Sequence, residues 1–210
     1  MSGKILIACE ESQSITIELR KLGYEAYSCD LQPCSGGHPE WHIQGDAIKE
    51  AYSGEYSLMV AHPPCTYLSV SGARWLYNKD GSVNEERWSK KEDAVEFVRA
   101  LMDAPIDKIA IENPVSLLSS HIRKPDQVIQ PYQFGDPHSK KTCLWLKNLP
   151  KLVPTDIVEQ EWHTTETGKR YDKFWFETCL ISDLKERSKV RSKTFPGIAK
   201  AIAEQWGVLA

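Results

Sequence analysis

Apolar positions along the chain gather into short, unbroken runs separated by longer mixed segments. Lys4 to Cys9 (Lys-Ile-Leu-Ile-Ala-Cys) is continuous rather than alternating, which suits a central parallel strand buried on both faces. Tyr24 to Cys29, Tyr56 to Ala61 and the Ile109-Ala110-Ile111 core of Lys108 to Pro114 predict further strands. Ile15, Ile17, Leu19 and Leu22 supply the apolar contacts of a helix between the first two. Ser12 or Ser14 is placed to cap its start, and Gly23 its end. Glu85 to Met102 is the strongest amphipathic helix, with Trp88, Ala94, Val95, Phe97, Val98, Leu101 and Met102 as its apolar set. Leu117 to Ile122 and Ile198 to Trp206 predict two more helices, and Val128 to Pro131 and Cys143 to Leu146 two more strands. Gln32 to Gln44 reads as a loop, and Leu149 to Ser192 as irregular and polar. Strand, helix and strand within Lys4 to Asp30 form a βαβ unit of the nucleotide-binding type. The whole predicts an α/β domain: a doubly wound, mostly parallel sheet with a small irregular insertion.

Composition narrows this picture. The 210 residues suit one domain with room for a small appendage. A net charge of −3 gives no support for tight, non-specific binding of nucleic acid, though a local basic patch stays open. There is no secretory signal and no apolar run long enough to span a membrane, so no membrane partner is expected. Six cysteines without a scaffold rhythm point to a reducing cytoplasm.

Two stretches carry candidate chemistry. In Ala61-His62-Pro63-Pro64-Cys65-Thr66 a cysteine emerges on a stiff turn just past a strand end, where ligands of open α/β sheets bind. Cys65 is there either a nucleophile or a small buried hydrophobe. In Lys108-Ile109-Ala110-Ile111-Glu112-Asn113-Pro114 a second strand ends in a carboxylate, an amide and a proline. Asp30, closing the second strand, is either a ribose-binding acid or a turn acid. Asp46, after Gly45, either takes an adenine amino group or caps the helix near Ala47. Arg74 and Trp75 mix charge and aromatic surface, suited to phosphate and base contacts or to packing on the sheet. Cys29, Cys34, His38 and His42 have a loose zinc-ligand spacing without a paired Cys-x-x-Cys, and no metal is expected.

Taken in order, these motifs resemble the cytosine-5 DNA methyltransferase family, in a compact form of the kind found in bacteriophages and prophages. Pro64-Cys65 matches the family's nucleophile motif and Glu112-Asn113 its second motif. Phe134-Gly135-Asp136-Pro137-His138-Ser139-Lys140-Lys141-Thr142 follows its Phe-Gly-x-Pro-Gln-x-Arg-x-Arg stretch in outline, with His138 for Gln, Lys140 for the first Arg and Thr142 for the second. Gly197 to Ala203 looks like its closing segment. The family's first loop, Phe-x-Gly-x-Gly-Gly, is here Cys9-Glu10-Glu11-Ser12-Gln13-Ser14, without a glycine.

The resemblance implies a methyltransferase fold of the Rossmann-like kind, with residues 1–148 and 193–210 catalytic and 149–192 in place of the long target-recognition domain. It implies S-adenosylmethionine as cofactor, held by Glu10, Glu11, Ser12, Asp30, Asp46 and Pro63. Catalysis would fall to Cys65, Glu112, Asn113 and Lys140, and substrate contacts to Arg74, Trp75, His138 and Lys141. The substrate would be DNA, single-stranded or duplex, with a pyrimidine nucleotide as the alternative, in the cytoplasm of a bacterial host cell. A non-catalytic nucleic-acid-binding or host-defence-blocking protein on the same fold is the other reading. So short a recognition segment predicts either a homodimer or a base that is already unstacked.

Overall fold

The structure, a computed structural model, describes residues 3–210; residues 1 and 2 of the expected catalytic region lie outside it. Its centre is β1 (Lys4–Ala8), whose Ile5 to Ala8 are fully buried because helices cover both faces of the sheet. β1 pairs in parallel with β2 (Ala26–Asp30) on one side and β4 (Tyr56–Ala61) on the other. β3 (His42–Gln44) extends the β2 edge, and β5 (Lys108–Pro114) follows β4, both in parallel. β7 (Thr142–Lys147) is antiparallel to β5 and to β6 (Gln127–Ile129). The seven-stranded order is therefore β3-β2-β1-β4-β5-β7-β6. This is the mostly parallel α/β sheet expected.

Alternate side chains of each central strand reach opposite layers. Ile5, Ile7, Leu58 and Val60 pack with α1 (Ser14–Lys21) and the last helix, Pro196–Trp206. Leu6, Ala8, Met59 and Ala61 pack with α2 (Ala47–Ala51), α3 (Glu85–Met102) and Leu118 of α4 (Leu118–His121). Strand order reverses at β1, and the β1 and β4 C-terminal ends open there, the place where ligands bind in such sheets.

Four local expectations change. His42–Gln44 is a strand, not loop; it is short and half-exposed, so no apolar run marks it. Neither Ser12 nor Ser14 caps α1: their hydroxyls lie 3.0 Å from each other, and the Glu10 carboxylate accepts instead from Ile15 N, Thr16 N and Thr16 Oγ1. Leu22 is 50% exposed, because the chain turns away at Gly23, whose φ of +85° closes the helix. The stretch read as irregular holds a hairpin, β8 (Trp162–Thr164) with β9 (Arg170–Asp172), and two helices, α5 (Lys173–Cys179) and α6 (Leu184–Ser192). α6 buries none of its residues, so its sequence has no apolar stripe to read. Ahead of the hairpin, Leu152 is buried in the core, and Gln205 grips both the N–H and the carbonyl of Val153.

The final helix, α7 (Pro196–Trp206), is fitted tightly to the loop after Phe134. Gly197 N donates to Asp136 Oδ2 at 2.8 Å, and a Cβ on Gly197 would lie 1.7 Å from the Phe134 carbonyl oxygen. Gly197→Ala should therefore lose about 1–3 kcal/mol or more in urea unfolding, since backbone must move to admit the methyl group. Stability equal to the parent protein would mean that this contact is not tight in solution.

Candidate functional site

β4 delivers His62 to the open edge of the sheet, with the His62 N–H on the Ala8 carbonyl at 2.9 Å. Pro63 and Pro64 end the pairing, because neither has an N–H to give. The Cys65 carbonyl then accepts from Leu68 N and Ser69 N, which turns the chain sharply and leaves the thiol partly exposed. A parallel event ends β5. Buried Asn113 donates from Nδ2 to the Pro63 carbonyl at 2.9 Å, tying the two turns together. Leu117 N donates to the Leu68 carbonyl, and Ser69 bridges Ser116, so the segments beyond are joined as well.

Around these turns lie four ionisable groups. Glu112 Oε2 sits 3.0 Å from His62 Nδ1, with side chains 20% and 11% exposed. Burial pushes Glu112 up, but the His62 hydrogen bond and charge, with help from Lys140, hold it below the usual carboxylate range. Burial pulls His62 down, and the Glu112 bond and charge, joined by Glu10, outweigh it, so His62 holds its proton above the usual range. Burial and the Glu112 charge push the Cys65 thiol up, partly opposed by Lys140. The lowered thiol pKa that favours a cysteine nucleophile is thus not found: Cys65 rests as a thiol. Lys140 donates from Nζ to the Arg191 carbonyl at 2.7 Å, which joins α6 to the site. A small cavity beside the pair is lined by His62, Glu112, Lys140, Thr142, Phe195 and Ile198, among others.

The turn after β1 forms the other half of the edge. Cys9 and Gln13 both adopt φ of +59°, a conformation that costs a non-glycine residue about 1–2 kcal/mol. Gln13 is held there by its side chain, which donates to the His38 carbonyl and accepts from the His38 N–H. Glycine is absent, yet Gln13, at a position where the family resemblance places glycine, bends the chain as glycine would. Glu10 points inward, 4% exposed, with its carboxylate spent on α1; its side chain is not free for a ligand. Glu11 differs. Both its carboxylate oxygens are buried without a hydrogen-bond donor, and Lys189 Nζ is 3.9 Å away. Asp30 accepts from Gln32 N, and Asp46 caps α2 through Ile48 N, so both take the turn and cap roles that the sequence left open. Their charges nevertheless reach the Cys9 thiol, which burial first and then both acids push up to about 12. The turn, Asp30 and Asp46 therefore share one corner.

The remaining expected residues lie apart from this edge's hydrogen bonds. The Arg74 guanidinium rests 4.6 Å over the Trp75 ring on a 3-10 segment, Val70–Leu76, that exposes both of these side chains and buries Leu76. His138 is wedged between Phe174 and Phe195, 5.5 and 5.6 Å between ring centres. Lys141 is exposed. The residues of the loose zinc spacing are used singly: His42 on Ser28 and the Gln32 carbonyl, His38 on Trp41 and Glu40, and Cys29 on the Gly45 carbonyl. Among the described residues no group of three or more His, Cys, Asp or Glu is placed to hold a metal ion. The sequence reading passed over His62 as a site residue. Its only signal was a titratable side chain at a strand end directly before the Pro-Pro-Cys turn.

No known protein-family profile matches the chain. Over 155 residues it is 29% identical to the cysteine–tRNA ligase of Rickettsia canadensis (strain McKiel), covering 60% of this chain and 32% of that protein. Over 109 residues it is 31% identical to the cysteine–tRNA ligase of Rickettsia rickettsii (strain Sheila Smith), covering 44% of this chain and 23% of the relative. The chain thus spans between about a quarter and a third of the length of these curated relatives. Among solved structures, a candidate DNA modification methyltransferase encoded within an E. coli prophage covers 90% of this chain and 69% of its own, at 12% identity and a TM-score of 0.47. A likeness of that extent supports no functional step. No helix among the described residues is long and apolar enough to cross a membrane.

Proposed function

We propose that this chain transfers a methyl group from S-adenosylmethionine to carbon 5 of cytosine in DNA, through a covalent bond to Cys65. The observation that carries the reading is the junction of the two turns: Asn113 bonded to Pro63, with the Glu112 and Lys140 charges acting on the Cys65 thiol. Carbon 5 of cytosine is a weak nucleophile. Addition of sulfur at carbon 6 makes it enamine-like and splits one hard step into two. That addition needs the thiol to lose its proton and ring nitrogen 3 to gain one, and this reading gives the second task to Glu112. Lys140 offsets negative charge as the sulfur adds, though it lacks the fork of an arginine.

The corner by the β1 turn fits the cofactor. The buried, undonated Glu11 carboxylate suits a cation, and S-adenosylmethionine carries two, an ammonium and a sulfonium. Asp30, at the β2 end, is placed for ribose hydroxyls. Asp46 retains one carboxylate oxygen beyond its bond to Ile48 N, and this reading assigns Pro63 and Ser12 to the rim. When bound, the cofactor supplies an electrophilic methyl group. Glu11→Ala and Asp30→Ala should each weaken its binding by about 1–3 kcal/mol in calorimetry, the cost of leaving partners unpaired. Unchanged affinity in both variants would move the cofactor elsewhere.

The substrate surface is small. α6 offers Lys185, Arg187, Lys189 and Arg191, and Lys193 follows it. Specific DNA interfaces usually bury on the order of 1,000–2,500 Å². We expect a homodimer or an already unstacked base, because flipping costs least in a single strand. Residues 149–192 would then serve as a reduced recognition element beside the catalytic residues 1–148 and 193–210. The test is methyl transfer to matched single-stranded and duplex oligonucleotides and to free dCMP at low salt, with products read by mass spectrometry. A preference for single strands supports the proposal. Methylation of dCMP alone would favour a nucleotide enzyme, and no transfer with intact cofactor binding would favour a binding protein.

A further inference from the structure

We infer that His62 is the proton-holding partner of Glu112, and that the proton delivered to cytosine nitrogen 3 starts on its Nδ1. The catalytic use of this proton rests on the methyl-transfer reading; the assignment of the proton does not. The geometry is specific. The imidazole is pinned by its own backbone, whose N–H bonds to Ala8 on the neighbouring strand, so the ring stands where β4 ends. Nδ1 is 3.0 Å from Glu112 Oε2, and Nε2 is buried without a partner. The groups acting on the pair are Glu10 from the β1 turn and Lys140 from the segment before β7, with the Cys65 thiol beside Glu112. Two carboxylates and one ammonium therefore bias a single imidazole, and the acids prevail.

The consequence is chemical. A Glu112 held ionised has no proton for nitrogen 3, yet addition at carbon 6 requires one there. With His62 charged, the pair as a unit still carries a proton. As the Cys65 sulfur bonds to carbon 6, the His62 Nδ1 proton passes to Glu112 and from Glu112 to nitrogen 3, leaving His62 neutral and Glu112 ionised. The thiol's own proton leaves to water before attack. When the methyl group is in place and the carbon 5 proton has gone to water, the sulfur–carbon bond breaks. The nitrogen 3 proton then returns through Glu112 to His62, and the thiolate regains one from water. His62 touches neither sulfur nor base, so it is a positioning residue acting through Glu112.

The first test needs no turnover. NMR titration of the histidine rings, with His62→Gln to assign the resonance, should show His62 half-protonated at a pH above its ordinary value of about 6.5. In Glu112→Gln the same resonance should move down by one pH unit or more. A His62 that titrates at or below the ordinary value, or that ignores Glu112→Gln, overturns the inference. The second test is the pH profile of kcat. Divided by the ionised fraction of Cys65, read from its alkylation rate, the wild-type rate should fall as pH rises through the His62 value, where the pair loses its proton. In His62→Gln that basic limb should move at least one unit toward acid, with kcat at pH 7.5 lowered about tenfold or more and KM for DNA within about twofold. An amide that restores both rate and profile would show a purely structural role and sink the idea. If the NMR result holds but no substrate is methylated at any pH, the methyl-transfer reading fails and the proton assignment stands.

Discussion

Cys65→Ser is expected to leave a folded protein with no measurable methyl transfer, a loss on the order of a thousandfold or more, because an alcohol supplies almost none of the anion that a thiol can. The fold should hold. Cys65 is partly exposed and gives the turn its carbonyl, not its sulfur; the bonds from Leu68 N and Ser69 N do not involve the side chain. Urea unfolding should therefore match the parent, and S-adenosylmethionine should bind as before. Because Cys65 rests as a thiol, the parent rate should also rise with pH where ionisation limits it, opposing the fall that the His62–Glu112 pair imposes. A bell-shaped profile follows. Full activity in the serine variant would remove the covalent route.

Glu112→Gln is the second large effect. The amide keeps the shape and still bonds to the His62 ring, but it has no proton to pass to nitrogen 3. kcat should drop by about 10²–10⁴, the usual weight of a positioned acid or base, with little change in the KM for DNA. Cys65 should at the same time ionise more readily, since the neighbouring carboxylate charge that raises it is gone. Faster alkylation of Cys65 by iodoacetamide in Glu112→Gln would show this directly; slower or equal alkylation would mean that the two groups do not face each other in solution.

The sequence announced these features unevenly, for physical reasons. Ile5 to Ala8 and Leu58 to Ala61 are buried on both sides, so their runs are continuous and readable. β3 and α6 lack an apolar signature, one because it is three residues at an exposed edge and the other because it buries nothing. The motif residues Cys65, Glu112, Asn113 and Lys140 were legible because each stands at a strand end or beside one. His62 was overlooked because its meaning depends on Glu112, 50 residues away, which only the pairing of β4 with β5 brings alongside. Glu10 and Glu11 looked alike as neighbours in one loop. The turn separates them: one carboxylate caps α1, and the other is left without a donor. The missing glycines proved a poor guide to shape, because Gln13 is clamped into the left-handed conformation by His38.

The covalent step is open to one direct measurement. An oligonucleotide carrying 5-fluorocytosine, incubated with the protein and S-adenosylmethionine, has no proton at carbon 5 to give up, so the adduct should stall before sulfur leaves. Intact-mass analysis should then show protein, oligonucleotide and one added methyl group as a single species, and peptide mapping should place the bond on Cys65. Methylation of ordinary cytosine at carbon 5 without any such species, or a bond mapped to another residue, would contradict the account.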